Sequence, residues 1–169
     1  MDTFESISTK LETREYAVKR VPSDVKKKVL EAGRLTASGI NSQHWRFVVV
    51  EEHGRLKKLA EDSTTGQWVA SADFAVLVLT DPKYGFHSFD AGRVVQDMQL
   101  AAWNYGVSSR VYTGFKKEPM ATDFGLPADL NLTVVVGFGY PAKKVVGKKN
   151  RLPLDKIAFS DRYGQKLAL

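Results

Sequence analysis

Three groups of residues have the side chains to hold a flat anionic ligand between them. Thr36 to Arg46 reads T-A-S-G-I-N-S-Q-H-W-R. Its small residues let a planar ring approach the backbone. Asn41 and Gln43 each offer a carbonyl acceptor and an NH2 donor to a ring edge that carries both kinds of group. The other two groups are basic. Lys10 and Arg14 lie four residues apart, a spacing that shares a helical face, and Lys149-Asn150-Arg151 sets two cations on one side of an extended chain. Brought together, they would make a phosphate pocket in which arginine gives paired hydrogen bonds. An amide cradle with a phosphate clamp describes a mononucleotide site. Each group also has an ordinary reading, as a polar connector or a solvated basic surface, and spacing alone does not choose.

Other chemistries find little support. The chain has no cysteine, which removes disulfides, thiolate catalysis and thiolate zinc sites. His44, His53 and His87 lack H-x-x-H spacing and read as ordinary polar or surface histidines, so no metal site is expected. There is no G-x-S-x-G elbow and no G-x-x-x-x-G-K-[ST] loop. Gly137-Phe138-Gly139 follows a strand pattern but lacks a third glycine, and Pro141 with a basic loop does not open a helix. Carboxylates read as helix-surface residues rather than an acid–base pair. Such a chain suits chemistry carried by a cofactor, with no catalytic side chain of its own.

The elements that must position these groups follow from hydrophobic periodicity. At 169 residues, 43% hydrophobic and 26% charged, the chain is sized for one domain, residues 1–169, with a core that needs no staples. Helices are expected from about Thr3 to Leu11 and from Ser23 to about Thr36. The second turns Val25, Val29, Leu30, Ala32 and Gly33 inward and Lys26, Lys27, Glu31 and Arg34 outward. Arg46 to Glu51 suits a strand buried on both faces, as does Phe74 to Leu79, which Asp81-Pro82 stops. Between them lies a charged helix, about Gly54 to Glu61. A long apolar helix, about Asp90 to Tyr105, ends at Gly106. A strand from Val107 to Thr113, a helix from Lys117 to Phe124 and a strand from Leu132 to Phe138 complete an α+β layer order. The tail keeps Leu152, Leu154, Ile157, Phe159 and Leu167, which require cover from this domain or from a partner chain. The net charge of +6 favours anionic partners, phosphates, nucleotides or nucleic acid. With no long apolar run and no basic-then-apolar start, no membrane span is expected and a cytoplasmic location is.

On these residues the chain resembles the FMN-dependent nitroreductase family. The likeness rests on V-P-S-D-V-K-K-K-V-L-E-A-G-R-L-T-A-S-G-I-N-S-Q-H-W-R-F-V-V-V, on F-D-A-G-R-V-V-Q-D-M-Q-L-A-A from Phe89, on G-x-P then V-x-G-x-G-Y-P from Gly125 to Pro141, and on K-K-N-R-L-P-L from Lys148. The resemblance implies a mostly antiparallel central sheet packed between helices, a C-terminal segment exchanged with a partner, and a homodimer with FMN at its interface. It implies an FMN phosphate held by Lys10, Arg14, Lys149 and Arg151. Ser38, Asn41 and Gln43 would reach the flavin from the other subunit, with Gln67 near the ring edge and the backbone of Thr113 and Gly114 beside the ring. Hydride would pass from NADH or NADPH through flavin N5 to nitroaromatics, quinones or similar rings in ping-pong order.

The sequence departs from the family pattern in places. Glu12 stands where a serine often meets the phosphate, so its carboxylate should turn away or pair with Lys10 or Arg14. Ala37 and His44 replace loop prolines, and the chain is short for the family, with little room for the insertions that cover its substrate pocket. Within the family, dehalogenation or flavin breakdown are the alternative chemistries. Outside it, the alternative is a basic nucleic-acid-binding module, disfavoured because the aromatics lie in apolar runs rather than between lysines and arginines.

Overall fold

The computed structural model describes residues 1–168. Its strands are β1 (Trp45–Val50), β2 (Phe74–Thr80), β3 (Ser108–Tyr112) and β4 (Asn131–Gly139), and they pair in the order β1-β2-β4-β3. Every pairing is antiparallel. β2 is buried at all positions, which follows from two paired edges and two covered faces. Its alternation divides the core. Phe74, Val76 and Val78 face one side and Ala75 and Leu77 the other.

The strand from residue 46, expected to be buried on both faces, is instead the edge strand β1, with Arg46 and Val49 exposed. β-Branched residues suit a pleated edge as well as a buried centre, so composition could not separate the two.

Helices α2 (Ser23–Leu35) and α4 (His87–Trp103) cover the first face, with Val25, Val29, Val94 and Met98 on Phe74, Val76 and Phe138. Helices α3 (His53–Glu61) and α5 (Lys117–Phe124), with the turn Gln67–Ser71, cover the second through Leu56, Leu59, Val69 and Met120. The result is an α+β layering with the sheet between helices. α4 begins three residues before Asp90 and buries Asp90, Ala91, Val94, Val95, Met98, Gln99 and Ala102 along one broad stripe.

Helix α1 (Thr3–Thr9) stops before Lys10, so Lys10 and Arg14 share no helical face. Lys26, expected outward, is buried. Its Nζ lies 2.9 Å from Asp73 Oδ2 and 2.7 Å from Glu51 Oε1. Periodicity marks Lys26 as polar, but only the packed sheet shows that a buried carboxylate waits opposite it.

Phe74 and Phe138 are register partners across β2 and β4, fully buried, and stack with centroids 4.8 Å apart and planes 10° from parallel. Phe138→Ala should leave a cavity in the core at one end of the two central strands and cost about 3–5 kcal/mol, read as a lower midpoint in urea unfolding.

Candidate functional site

The two basic groups converge in part. Lys10, Glu12, Gln96, Gln99, Lys149 and Arg151 are among the residues around a cavity of about 460 Å³ at the first end of β3. The chain after α1 is led there by β3 itself. Glu12 bridges Ser109 in parallel, and Ser108 Oγ donates to the Leu11 carbonyl at 3.3 Å. Gln99 of α4 donates to Ser109 Oγ at 3.0 Å, closing the floor. Lys149 Nζ donates to the Ile7 carbonyl, fastening the late basic loop to α1.

Burial, and behind it the charges of Lys10 and Arg151, hold the Lys149 ammonium below the usual lysine range. Like charges gathered so closely are a place for an anion. Arg14 does not join them. It is exposed, at a bend, and does not line this cavity.

Glu12 does not turn away. It lines the cavity, with Oε1 at 3.1 Å from Lys10 Nζ and Oε2 at 3.7 Å from a guanidinium nitrogen of Arg110 in β3. Pairing with Lys10 was one of the two expected outcomes. The second partner is Arg110 rather than Arg14.

The other end of β3 leads to Thr113 and Gly114. From Ser109 to Tyr112 the strand advances about 10 Å. There the chain packs on residues 63–67. Thr64 N–H donates to the Gly114 carbonyl at 2.8 Å, Ser63 bridges Phe115, and Gln67 Nε2 donates to the Ser63 carbonyl at 3.3 Å. A Cβ on Gly114 would sit 2.5 Å from the hydroxyl oxygens of Thr64 and Thr65, so only glycine lets the two segments lie this close. Gln67, Thr113 and Gly114 therefore share one neighbourhood.

Ser38, Asn41 and Gln43 lie elsewhere, in a loop beyond α2, and line no part of the basic cavity. Ile40, Asn41 and Gln43 have φ of 48°, 54° and 45°. Each left-handed residue costs about 1–2 kcal/mol, most for β-branched Ile40. Hydrogen bonds hold the shape. Ser38 Oγ accepts from Gln43 N–H at 3.0 Å, and Gln43 Nε2 donates to Asn41 Oδ1 at 3.3 Å. Ile40 is 85% exposed at the tip.

The loop is anchored on Asp90 of α4, whose side chain is 1% exposed. Asp90 Oδ2 accepts from Gly39 N–H at 3.0 Å and from His44 Nε2 at 3.2 Å. An Arg93 guanidinium nitrogen lies 3.4 Å from its other oxygen. Gly39 passes so close to Phe86 that a Cβ would sit 2.6 Å from the ring. Thr36 Oγ1 donates to Asp97 Oδ2 at 2.6 Å about two turns on. His44, read as an ordinary polar or surface histidine, is a buried part of this anchor, packed edge-on or tilted among Trp45, Tyr84 and Phe86. Asp90 and Arg110 carried no role in the sequence reading. The signals were an acid at the start of an apolar helix and a lone arginine inside a strand.

Comparison with known proteins gives this geometry its class. The model of the Nitroreductase family matches residues 10–84. A protein of Methanothermobacter thermautotrophicus, provisionally named an NADH dehydrogenase/NAD(P)H nitroreductase, is 30% identical over 166 residues, covering 93% of this chain and 86% of that protein. A nitroreductase family protein from Clostridium difficile 630 superposes with a TM-score of 0.85 at 25% identity, over 96% of this chain and 99% of that one. A nitroreductase with bound FMN from Bacteroides fragilis shares the fold, with a TM-score of 0.77 at 22% identity over 94% and 99% of the two chains. The chain belongs to the nitroreductase family and is an oxidoreductase.

Asp90→Ala should strand the Gly39 N–H and the His44 ring without their acceptor. A loss of about 2–3 kcal/mol is expected, with faster hydrogen exchange in residues 38–44 than elsewhere, read by mass spectrometry.

Proposed function

We propose that this protein is an FMN-dependent oxidoreductase that works as a homodimer and draws on NADH or NADPH. The observation that carries the reading is the gathering of Lys10, Lys149 and Arg151 in one cavity at one end of β3, with Gly114 and Gln67 at the other. A phosphate-bearing cofactor with a flat ring fits that layout. The cations suit its phosphate, the extended strand runs beside its linker, and the side-chain-free backbone at Gly114 admits its ring. FMN, when bound, supplies the hydride relay from the nicotinamide donor to a nitroaromatic, quinone or similar electron-poor ring, the two alternating on one face.

The chain's own residues bind and orient. Lys10, Lys149 and Arg151 hold the phosphate, and Thr113, Gly114 and Gln67 border the ring. Arg14 has no part in the phosphate clamp. Ser38, Asn41 and Gln43 reach the ring only from a second copy, which agrees with their distance from the cavity within one chain and with the exposed Ile40 at the loop tip. Hydrogen-bond donors at the N1/O2 end would stabilise the negative charge that reduction brings.

A second copy would also cover apolar surface that stands open. Phe4 is 78% exposed on α1, and Leu152, Leu154 and Ile157 of the tail are 66%, 55% and 61% exposed. Exchange of the tail between subunits would bury these residues. Among the described residues no helix is long and apolar enough to cross a membrane, and no group of three or more His, Asp or Glu is placed to hold a metal.

The purified protein should be yellow, and NADH or NADPH should bleach it without oxygen. A colourless protein that ignores added FMN overturns the reading. Arg151→Ala should weaken FMN binding about tenfold by removing a charge-assisted contact. Ile157→Asp should shift the protein toward monomer in sedimentation and weaken FMN binding at the same time, because half of each site would leave with the partner.

A further inference from the structure

The phosphate cavity contains a carboxylate that its task does not call for. Lys10, Lys148, Lys149 and Arg151 line the cavity, and so does Glu12. The Glu12 backbone cannot swing aside, because it is bridged to Ser109 of β3. Its oxygens are divided between Lys10 at 3.1 Å and Arg110 at 3.7 Å, and the Lys10 side chain is only 10% exposed. A phosphate arriving here must share the Lys10 ammonium with Glu12 and meets a like charge beside it.

We propose that Glu12 sets the affinity of this cavity for the flavin phosphate, holding it below what the surrounding cations alone would give and making the bound FMN exchangeable. The proposal rests on the FMN reading given above. Three considerations support it. The carboxylate is a lining residue with a side chain 34% exposed, so its charge acts on the cavity at short range although solvent weakens it. Its nearest partner is one of the cations that the phosphate needs, so the anion and Glu12 compete for the same donor. Its other partner, Arg110, lies in the strand that runs beside the proposed cofactor linker and draws the carboxylate toward the cavity. Because such effects between related complexes appear mainly in release, the proposal places the difference in the FMN off-rate.

The test is a fluorescence titration of flavin-free protein with FMN and with riboflavin, which lacks the phosphate, paired with stopped-flow measurement of FMN release. Glu12→Gln keeps the size of the side chain and an acceptor for Lys10 and Arg110 while removing the charge. Glu12→Ser supplies a small hydroxyl instead and keeps the test alive should the glutamine variant fold poorly. Both variants should bind FMN about tenfold more tightly than the wild type, the discounted value of a like charge beside a partly solvated anion, with slower release. Their riboflavin affinity should stay as it was.

FMN affinity that is unchanged or lower in both variants, in a wild-type protein that prefers FMN to riboflavin, overturns the role of Glu12 and leaves the FMN reading standing. A gain shared equally by riboflavin also overturns it, since the effect would not act through the phosphate. A wild type that binds FMN no better than riboflavin overturns both.

Discussion

A carboxylate moved from water into an apolar interior costs several kcal/mol unless its oxygens are answered by donors. Two aspartates impose that constraint here, and much of the arrangement follows from meeting it. Asp73, just before β2, receives the Val21 N–H at 3.0 Å and Lys26 Nζ at 2.9 Å, which docks the start of α2 against the sheet. Asp90, in the first turn of α4, receives Gly39 N–H and His44 Nε2 and so holds the loop beyond α2 against the long helix. Between them the two acids fix both ends of α2 and the loop that follows it.

That anchoring explains how a loop with three left-handed residues outside glycine keeps one shape. The strain of Ile40, Asn41 and Gln43 is local, whereas the donors that oppose it converge on a buried anion whose loss would cost more. The exposed tip can then present amide groups outward without collapsing onto its own domain. Strain kept in this way is found at functional sites because a relaxed loop would not aim its side chains so closely.

The candidate site itself is organised by β3. One strand brings the segment 10–12, α4 and the late basic loop together at its start, and the Gly114 turn to residues 63–67 at its end. Separation of the basic cavity from the Gly114 turn is thus set by strand rise, a rigid quantity, rather than by loops. Within the charged end the balance is not simple. Glu12 and Arg110 enter it alongside the expected cations, and Arg14 leaves it.

The amino-acid sequence by itself determined the order and type of the elements, because apolar period and turn residues act locally. The apolar run from Phe74 to Leu79 reads as a strand, and the stripe from Ala91 to Ala102 reads as a packed helix. It also held the residue types of the site, since Lys149-Asn150-Arg151 and the amides of Asn41 and Gln43 are visible in any folded or unfolded chain. What only the tertiary structure decided is which charges meet. Whether the strand from Trp45 is central or edge depends on pairing order, which has no local signature. Whether Lys26 points to solvent or to Asp73, and whether Glu12 answers Arg14 or Arg110, depends on residues 47 and 98 positions away in the chain. Electrostatic partners are chosen by distance in space, and a linear pattern carries no record of that distance until the sheet has formed.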